Sequence, residues 1–305
     1  MKRFPFILMA VLLMAACGQS YHETKRQTRA QQKKLWREDS AALKIAVMPT
    51  LDCMPFYVAQ ERGIFDQFGV NVRLKFFTAQ MDCDTAIQRG RVEVSITDLV
   101  RAERLQKQGT PLRYITATNT YWQLITRRQA RLRQLKDLDD KMVAMTRYSA
   151  TDLLSDALVD SAKLKTERVF RVQINDVLVR LQMLQTNTMD ALFMTEPQAT
   201  AARVAKHRVL MDTRQMDLQL GVIVACERPL ANEKRQEQLD LMVKAYNQAC
   251  DSLNDKGLPA YRGLIEKYLS LKPAVVDSLP QLKFPHAQPP RQHDIDRAAQ
   301  WLKDK

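Results

Sequence analysis

Glycine and histidine are scarce in this chain, 8 and 4 among 305 residues. So few glycines exclude a glycine-rich barrel or a low-complexity chain. With so few histidines, none near Cys53, Cys83, Cys226 or Cys250 in sequence, a Cys–His nucleophile pair has little support. No C-x-x-C spacing is present, which removes the usual cysteine-only metal site. Zinc-finger spacing, an RNP-like aromatic and basic pattern and a long basic block in the body are all missing. The formal charge of +13 and a pI near 9.6 suit an anionic partner. Here, however, the lysines and arginines are scattered among acids, and no nucleic-acid partner is expected. No paired carboxylate, histidine dyad or nucleophile motif stands out, so no catalytic residue, metal or cofactor is assigned. What remains is an ordinary globular composition, 46% hydrophobic and 27% charged, long enough for one large or two medium cores.

The N-terminus carries its own signals. Lys2 and Arg3 precede an apolar run from Phe4 to Met14, too short to span a bilayer and of the length of an export signal. Ala15, Ala16, Cys17 and Gly18 resemble a bacterial lipobox, with Met14 where leucine is usual. The resemblance implies a signal peptide over 1–16, diacylation (palmitate-type) of Cys17, and a lipid anchor in the cell envelope facing the periplasm or exterior. Residues 17–40 are polar, basic and non-periodic, which suits a solvated tether over the membrane. Losing Lys2 and Arg3 with the signal lowers the formal charge from +13 to +11.

Export places the remaining cysteines in an oxidising compartment. Cys53, Cys83, Cys226 and Cys250 permit two disulfides in three pairings. Cys53–Cys83 with Cys226–Cys250 is the expected pairing, since each pair lies on neighbouring elements of the fold outlined next. Free buried thiols are the alternative.

From Lys44 the pattern is α/β. Ile45 to Met48 form a short apolar run suited to a strand buried on both faces, stopped by Pro49. A polar loop, Thr50 to Met54, leads to Pro55 in the first turn of a short amphipathic helix. Val70 to Phe76 alternates as a strand, a TAQMDCD loop follows, and a helix begins near Asp84. Val92, Val94 and Ile96 mark a third strand ending at Thr97–Asp98, with Asp98 capping the next helix. Leu112 to Thr118 is a fourth. The charged stretch RRQARLRQLKDLDDK interrupts, then strands at 142–146, 169–174 and 189–194 alternate with helices. Strand 221–226 and a helical C-terminal part complete the first unit. The expected architecture is two mostly parallel sheets flanked by helices, one lobe from 41–120 plus 213–305 and the other from 121–212, with a cleft between them.

The stretch KIAVMPTLDCMPFYVAQERGIFDQFGVNVRLKFF is similar to the opening of the aliphatic-sulfonate, nitrate and thiamine-precursor (pyrimidine) binding proteins of ABC importers, with their "PFYVAxExGxFxxxGLxV" signature. DCDTAIQRGRVEVSITD, LKDLDDKMVAMTRYSATDLLSDALVDSAKL and MLQTNTMDALFMTEPQATAA resemble later landmarks of the same family, so the likeness covers most of residues 41–226. It implies a type II periplasmic-binding-protein fold and a lipid-anchored receptor that closes two lobes on a small ligand and delivers it to an ABC permease and ATPase. The family's glycines are absent at Asp140, Lys165 and Asn187. Cys53 and Cys83, beside the implied ligand loops, are not part of its general pattern.

By position after the strands, the first lobe offers Thr50, Leu51, Asp52, Met54, Phe56, Asp82, Thr97 and Asp98 to a ligand. From the second come Tyr121, Arg147, Tyr148, Ser149, Ala150, Thr151 and Glu196. Ser149 to Thr151 open a helix whose free N–H groups suit an anionic head. Asp52, Asp82, Asp98 and Glu196 form an acidic rim that points instead to a cationic, zwitterionic or heteroaromatic amine ligand, stacked on Phe56, Tyr121 or Tyr148. Met48, Met54 and Met81 fit core packing better than a soft metal. An enzyme on the same fold, of pyrimidine- or menaquinone-pathway type, and a sensory or structural lipoprotein are the alternatives to transport.

Overall fold

The computed structural model describes residues 29, 31–33 and 39–305. The chain divides into two compact units, Met1–Ala42 and Leu43–Lys305. In the first, positions 29, 31–33 and 39–41 are helical. The export signal, Cys17 and nearly all of the tether lie outside the described residues.

The second unit holds two five-stranded sheets. The first comprises β1 (Leu43–Val47), β2 (Val72–Phe76), β3 (Val94–Asp98), β4 (Leu112–Ala117) and β10 (Gly221–Cys226), in the order β2-β1-β3-β10-β4. β1 lies parallel to β2 and β3, and β10 runs antiparallel between β3 and β4. The second comprises β5 (Gln123–Thr126), β6 (Lys141–Met145), β7 (Val169–Gln173), β8 (Ala191–Met194) and β9 (Arg208–Asp212), in the order β7-β6-β8-β5-β9. β6 is parallel to β7 and β8, and β5 runs antiparallel to β8 and β9. The fold class is the one expected. β5 and β9 were not foreseen; both are short, β5 lying between β8 and β9, beside the crossings between sheets.

The helices are α1 (Met54–Glu61), α2 (Gln80–Gln88), α3 (Leu99–Lys107), α4 (Ala150–Ser161), α5 (Val177–Gln185), α6 (Gln198–Val204), α7 (Glu233–Lys256), α8 (Arg262–Leu269) and α9 (Gln292–Asp304). α1 is less amphipathic than expected: Met54 to Ala59 are all buried. The reason is α7, whose Tyr246 ring lies 5.3 Å from that of Phe56. Burying such side chains on both faces stabilises the first lobe by roughly 1.5–3 kcal/mol apiece. α2 starts at Gln80, so the expected TAQMDCD loop is mostly its first turn.

Two positions where the resembling family has glycine are left-handed here, Asp140 at φ 60° and Asn187 at φ 59°. Asp and Asn tolerate that conformation best among residues with a Cβ. Lys165, at φ −77°, has no such need.

The chain crosses between sheets at 118–122 and 213–220, and the crossings bond to each other. Thr213 N donates to Trp122 O at 3.0 Å, and Thr118 N to Gly221 O at 2.8 Å. Gly221 makes this approach possible. A Cβ there would fall inside van der Waals contact of Thr118 Oγ1 and 2.8 Å from the Thr120 Cβ.

The expected disulfides are absent: Cys53, Cys83, Cys226 and Cys250 are all free, buried thiols. Cys53 is engaged within its own turn. Its Sγ accepts from Met48 N at 3.4 Å and lies 3.4 Å from Thr50 Oγ1, inside the β1–α1 turn. Cys250 shares its surroundings with Tyr246 on the same helix, and burial pushes its thiol up to about 12.

Candidate ligand-binding site

The lobes are bridged by hydrogen bonds from several elements. Gln198 Nε2 donates to Pro49 O at 2.8 Å, and Leu51 N to Glu196 O at 3.0 Å. Ala150 N, at the start of α4, donates to Asp98 Oδ1 at 3.0 Å. At the mouth, Thr78 Oγ1 donates to Asp176 Oδ2 at 2.5 Å and Val177 N to Thr78 O at 3.1 Å. On the far side α9 reaches α4, with Trp301 Nε1 donating to Asp156 Oδ2 at 2.8 Å. The cleft is therefore closed.

Behind these bridges lies a cavity of about 80 Å³. From the first sheet's side Met48, Thr50, Asp52, Thr97, Asp98 and Arg101 reach it; from the second come Thr146, Ser149, Thr151, Arg180, Phe193 and Gln198. Trp122 and Thr120 close it from the crossing, and Gln80 and Asn175 from the mouth. Its position, at the carboxyl ends of β1, β3, β6 and β8, is where open α/β sheets bind small molecules.

Six residues expected from sequence meet here: Thr50, Asp52, Thr97, Asp98, Ser149 and Thr151. The others lie elsewhere. Met54 and Phe56 are core residues with no exposed surface. Leu51 and Tyr121 border a separate small recess with Glu196. Glu196 accepts from the Tyr121 hydroxyl at 2.7 Å and from Arg203 Nη2 at 2.7 Å. Asp82 and Arg147 are exposed on the outside. Tyr148, left-handed at φ 53°, turns out under Arg104, 4.8 Å from its guanidinium carbon. Ala150 takes part through its backbone N–H alone. No expected stacking ring lines the cavity; the aromatics there are Trp122 and Phe193.

The acidic rim thus dissolves into two buried carboxylates and two arginines that sequence reasoning missed. Arg101, 2% exposed, ion-pairs with Asp84 and lies 3.4 Å from Asp98 Oδ2. Burial raises the Asp98 carboxyl to about 6, against the pull of Arg101 and of the N–H groups of Arg101 and Ala150. Arg180, 6% exposed, donates to Ile174 O at 2.7 Å, to Phe193 O at 3.1 Å and to Thr146 Oγ1. Burial, seconded by Arg101 and opposed by Asp176, lowers it to about 9. Asp52 is also pushed up by burial, while Thr120 and Thr50 hold it down. The available signal was an arginine on an apolar helix face: Arg101 and Arg180 each precede a buried leucine, Leu105 and Leu184, by one turn.

Three buried polar atoms on the lining have no partner among the described residues: Asp52 Oδ1, Thr97 Oγ1 and Gln198 Oε1. Each unpaired atom of this kind costs about 1–3 kcal/mol unless something occupies the cavity and bonds to it.

No curated protein matches the sequence. Among solved structures, the periplasmic aliphatic sulphonate binding protein SsuA from Escherichia coli superposes with a TM-score of 0.71 at 18% identity, covering 86% of this chain and 87% of that one. The periplasmic nitrate-binding protein NrtA from Synechocystis PCC 6803 gives 0.65 at 10%, covering 81% and 74%. The desulfurization enzyme DSZB gives 0.62 at 14%, covering 86% and 92%. At these identities the likeness establishes the two-lobed periplasmic-binding-protein fold, which receptors and an enzyme share. Residues 50–255 match the NMT1/THI5-like family, and the chain belongs to it.

Proposed function

We propose that this protein is an extracytoplasmic solute-binding lipoprotein. It captures a small organic ligand between lobes formed by 41–120 plus 213–305 and by 121–212, and delivers it to the permease and ATPase of an ABC importer. One observation carries the proposal: hydrogen bonds from both lobes close over a cavity whose buried acceptors are left for a guest. The sulphonate- and nitrate-binding proteins that share the fold support a receptor rather than a catalyst. The lipobox-like Cys17 supports tethering at the envelope, which keeps the receptor near its permease. The family resemblance implies that the lobes close on the ligand, so ligand and closed state stabilise each other. A thermal-shift screen of the full chain in detergent, across sulfonates, amines, amino acids and thiamine precursors, tests this. At least one compound raises the melting temperature in a dose-dependent way; a screen with no stabiliser overturns the proposal. Loss of fatty-acid labelling in Cys17→Ser tests the anchor separately.

A further inference from the structure

The cavity's charges are distributed unevenly. Arg101 is compensated by Asp84 and Asp98, whereas Arg180 has no carboxylate within ion-pairing distance among the described residues. Its three bonds run to neutral oxygens, using three of the five N–H donors of a guanidinium. Asp176 attracts it only from beyond that distance and does not offset burial; a buried cation so weakly compensated is costly, and a ligand anion is the natural compensation.

The acceptors are held the opposite way. Asp52 is anchored by one oxygen, Oδ2, which accepts from Thr120 Oγ1 at 2.5 Å, leaving Oδ1 unpaired. Gln198 is anchored by its nitrogen on Pro49 O, leaving Oε1 unpaired. Thr97 Oγ1 is a third unpaired oxygen on the lining. These side chains are 8%, 2% and 6% exposed, so bulk water does not serve them. A carboxylate oxygen and an amide oxygen are satisfied together by a group with several donor hydrogens, and an ammonium supplies them while also matching the Asp52 charge.

We propose that the cavity takes a small dipolar solute, whose carboxylate or sulfonate meets Arg180 and whose amine donates to Asp52 and Gln198. The proposal rests on the receptor function above and specifies its ligand class. An anion alone leaves the acceptors orphaned, and an amine alone leaves Arg180 uncompensated. The α4 N-terminus offers an anion no alternative, because Ala150 N is already taken by Asp98. The volume of about 80 Å³ restricts the spacer between the two heads to a few atoms.

Calorimetry on the full chain in detergent, with matched probes, tests this. β-Alanine and taurine carry both heads, propanoate and ethanesulfonate only the anion, propylamine and ethylamine only the amine. At least one dipolar probe binds 100-fold or more tighter than either of its single-headed analogues. Arg180→Met removes that advantage over the amine, and Asp52→Asn reduces the advantage over the anion at least tenfold. Arg180→Lys keeps the cation and retains a preference for the dipolar probe over the amine, and circular dichroism of each variant shows that it is folded. Equal affinity of a dipolar probe and its anionic or amine analogue overturns the proposal. If all six probes are silent while the wider thermal-shift screen finds another ligand, the dipolar assignment falls and the receptor stands. If the screen is silent too, both fall.

Discussion

Replacing Arg180 by methionine separates function from stability, because the structure places there a buried charge with no ion-pair partner among the described residues. The guanidinium is brought from 12.5 to about 9 by burial. At 1.36 kcal/mol per pH unit, that is a cost of roughly 5 kcal/mol. The folded value lies below the unfolded one for a base, so the cost is fully present at neutral pH. It is relieved only as pH rises from about 9 towards 12.5, outside the assay range. Methionine removes it and takes a donor from Phe193 O, at about 1–3 kcal/mol, while Thr146 Oγ1 and Ile174 O keep their bond to each other at 3.2 Å. Thr146 also lines the cavity, where solvent can enter once the long side chain is gone. The relief outweighs this loss, and ligand-free Arg180→Met is at least as stable as the parent in urea. A buried arginine already paired with a carboxylate would cost about 3–5 kcal/mol on truncation. A loss above about 4 kcal/mol at pH 7 refutes the argument and makes Arg180 a structural strut.

Two further substitutions test other parts of the frame. Asp98 titrates at about 6 in the folded protein against an ordinary 3.8. The folded state therefore holds its proton more tightly, and the cost of charging the buried carboxyl, about 3 kcal/mol, builds up as pH rises through that window. Between pH 4.5 and 7 this group alone lowers stability by about 2 kcal/mol. Asp98→Asn abolishes that part of the slope, and identical urea-derived slopes in parent and variant would contradict it. Gly221→Ala forces a methyl against Thr118 and Thr120 at the crossings, costing about 1–3 kcal/mol; an unchanged melting temperature would show that the crossings yield freely.

The fold was legible because its strands are short apolar runs separated by helices of clear period. β8 is buried on both faces, as its unbroken apolar run announces, and β1 nearly so, while β3 is read from Val92, Val94 and Ile96 and buries Ser95 and Thr97 as well. β5 and β9 escaped because a strand of four or five residues has too little alternation to read; their pairing partners, set by tertiary contact, define them. The site was half legible. Polar residues directly after a strand, such as Thr50, Asp52, Thr97 and Asp98, can be placed by topology alone. Arg147 and Tyr148 share that position in sequence, but the left-handed turn at Tyr148 sends its ring out beneath Arg104. The cysteines failed for a similar reason: elements that neighbour in the fold need not aim their side chains at each other, and disulfide geometry demands that they do.

Asp98 explains why an anion pocket inferred from the α4 N-terminus had to be moved. One carboxylate oxygen, Oδ1, accepts from Arg101 N, capping α3 in the first lobe, and from Ala150 N, opening α4 in the second, both at 3.0 Å. The protein's own anion thus occupies the dipole end that would otherwise attract a ligand's head group. An acidic side chain filling that place does two things at once. It joins the lobes without a ligand, and it repels a bare anion from the α4 terminus. The positive charge in the cavity without an ion-pair partner among the described residues is Arg180, on the second lobe's α5, while Asp52 offers its free oxygen from the first. A guest carrying both signs is the one that spans this arrangement without leaving either group buried and unpaired. Selectivity would then come less from attraction to one head than from the cost of leaving the other wall unsatisfied.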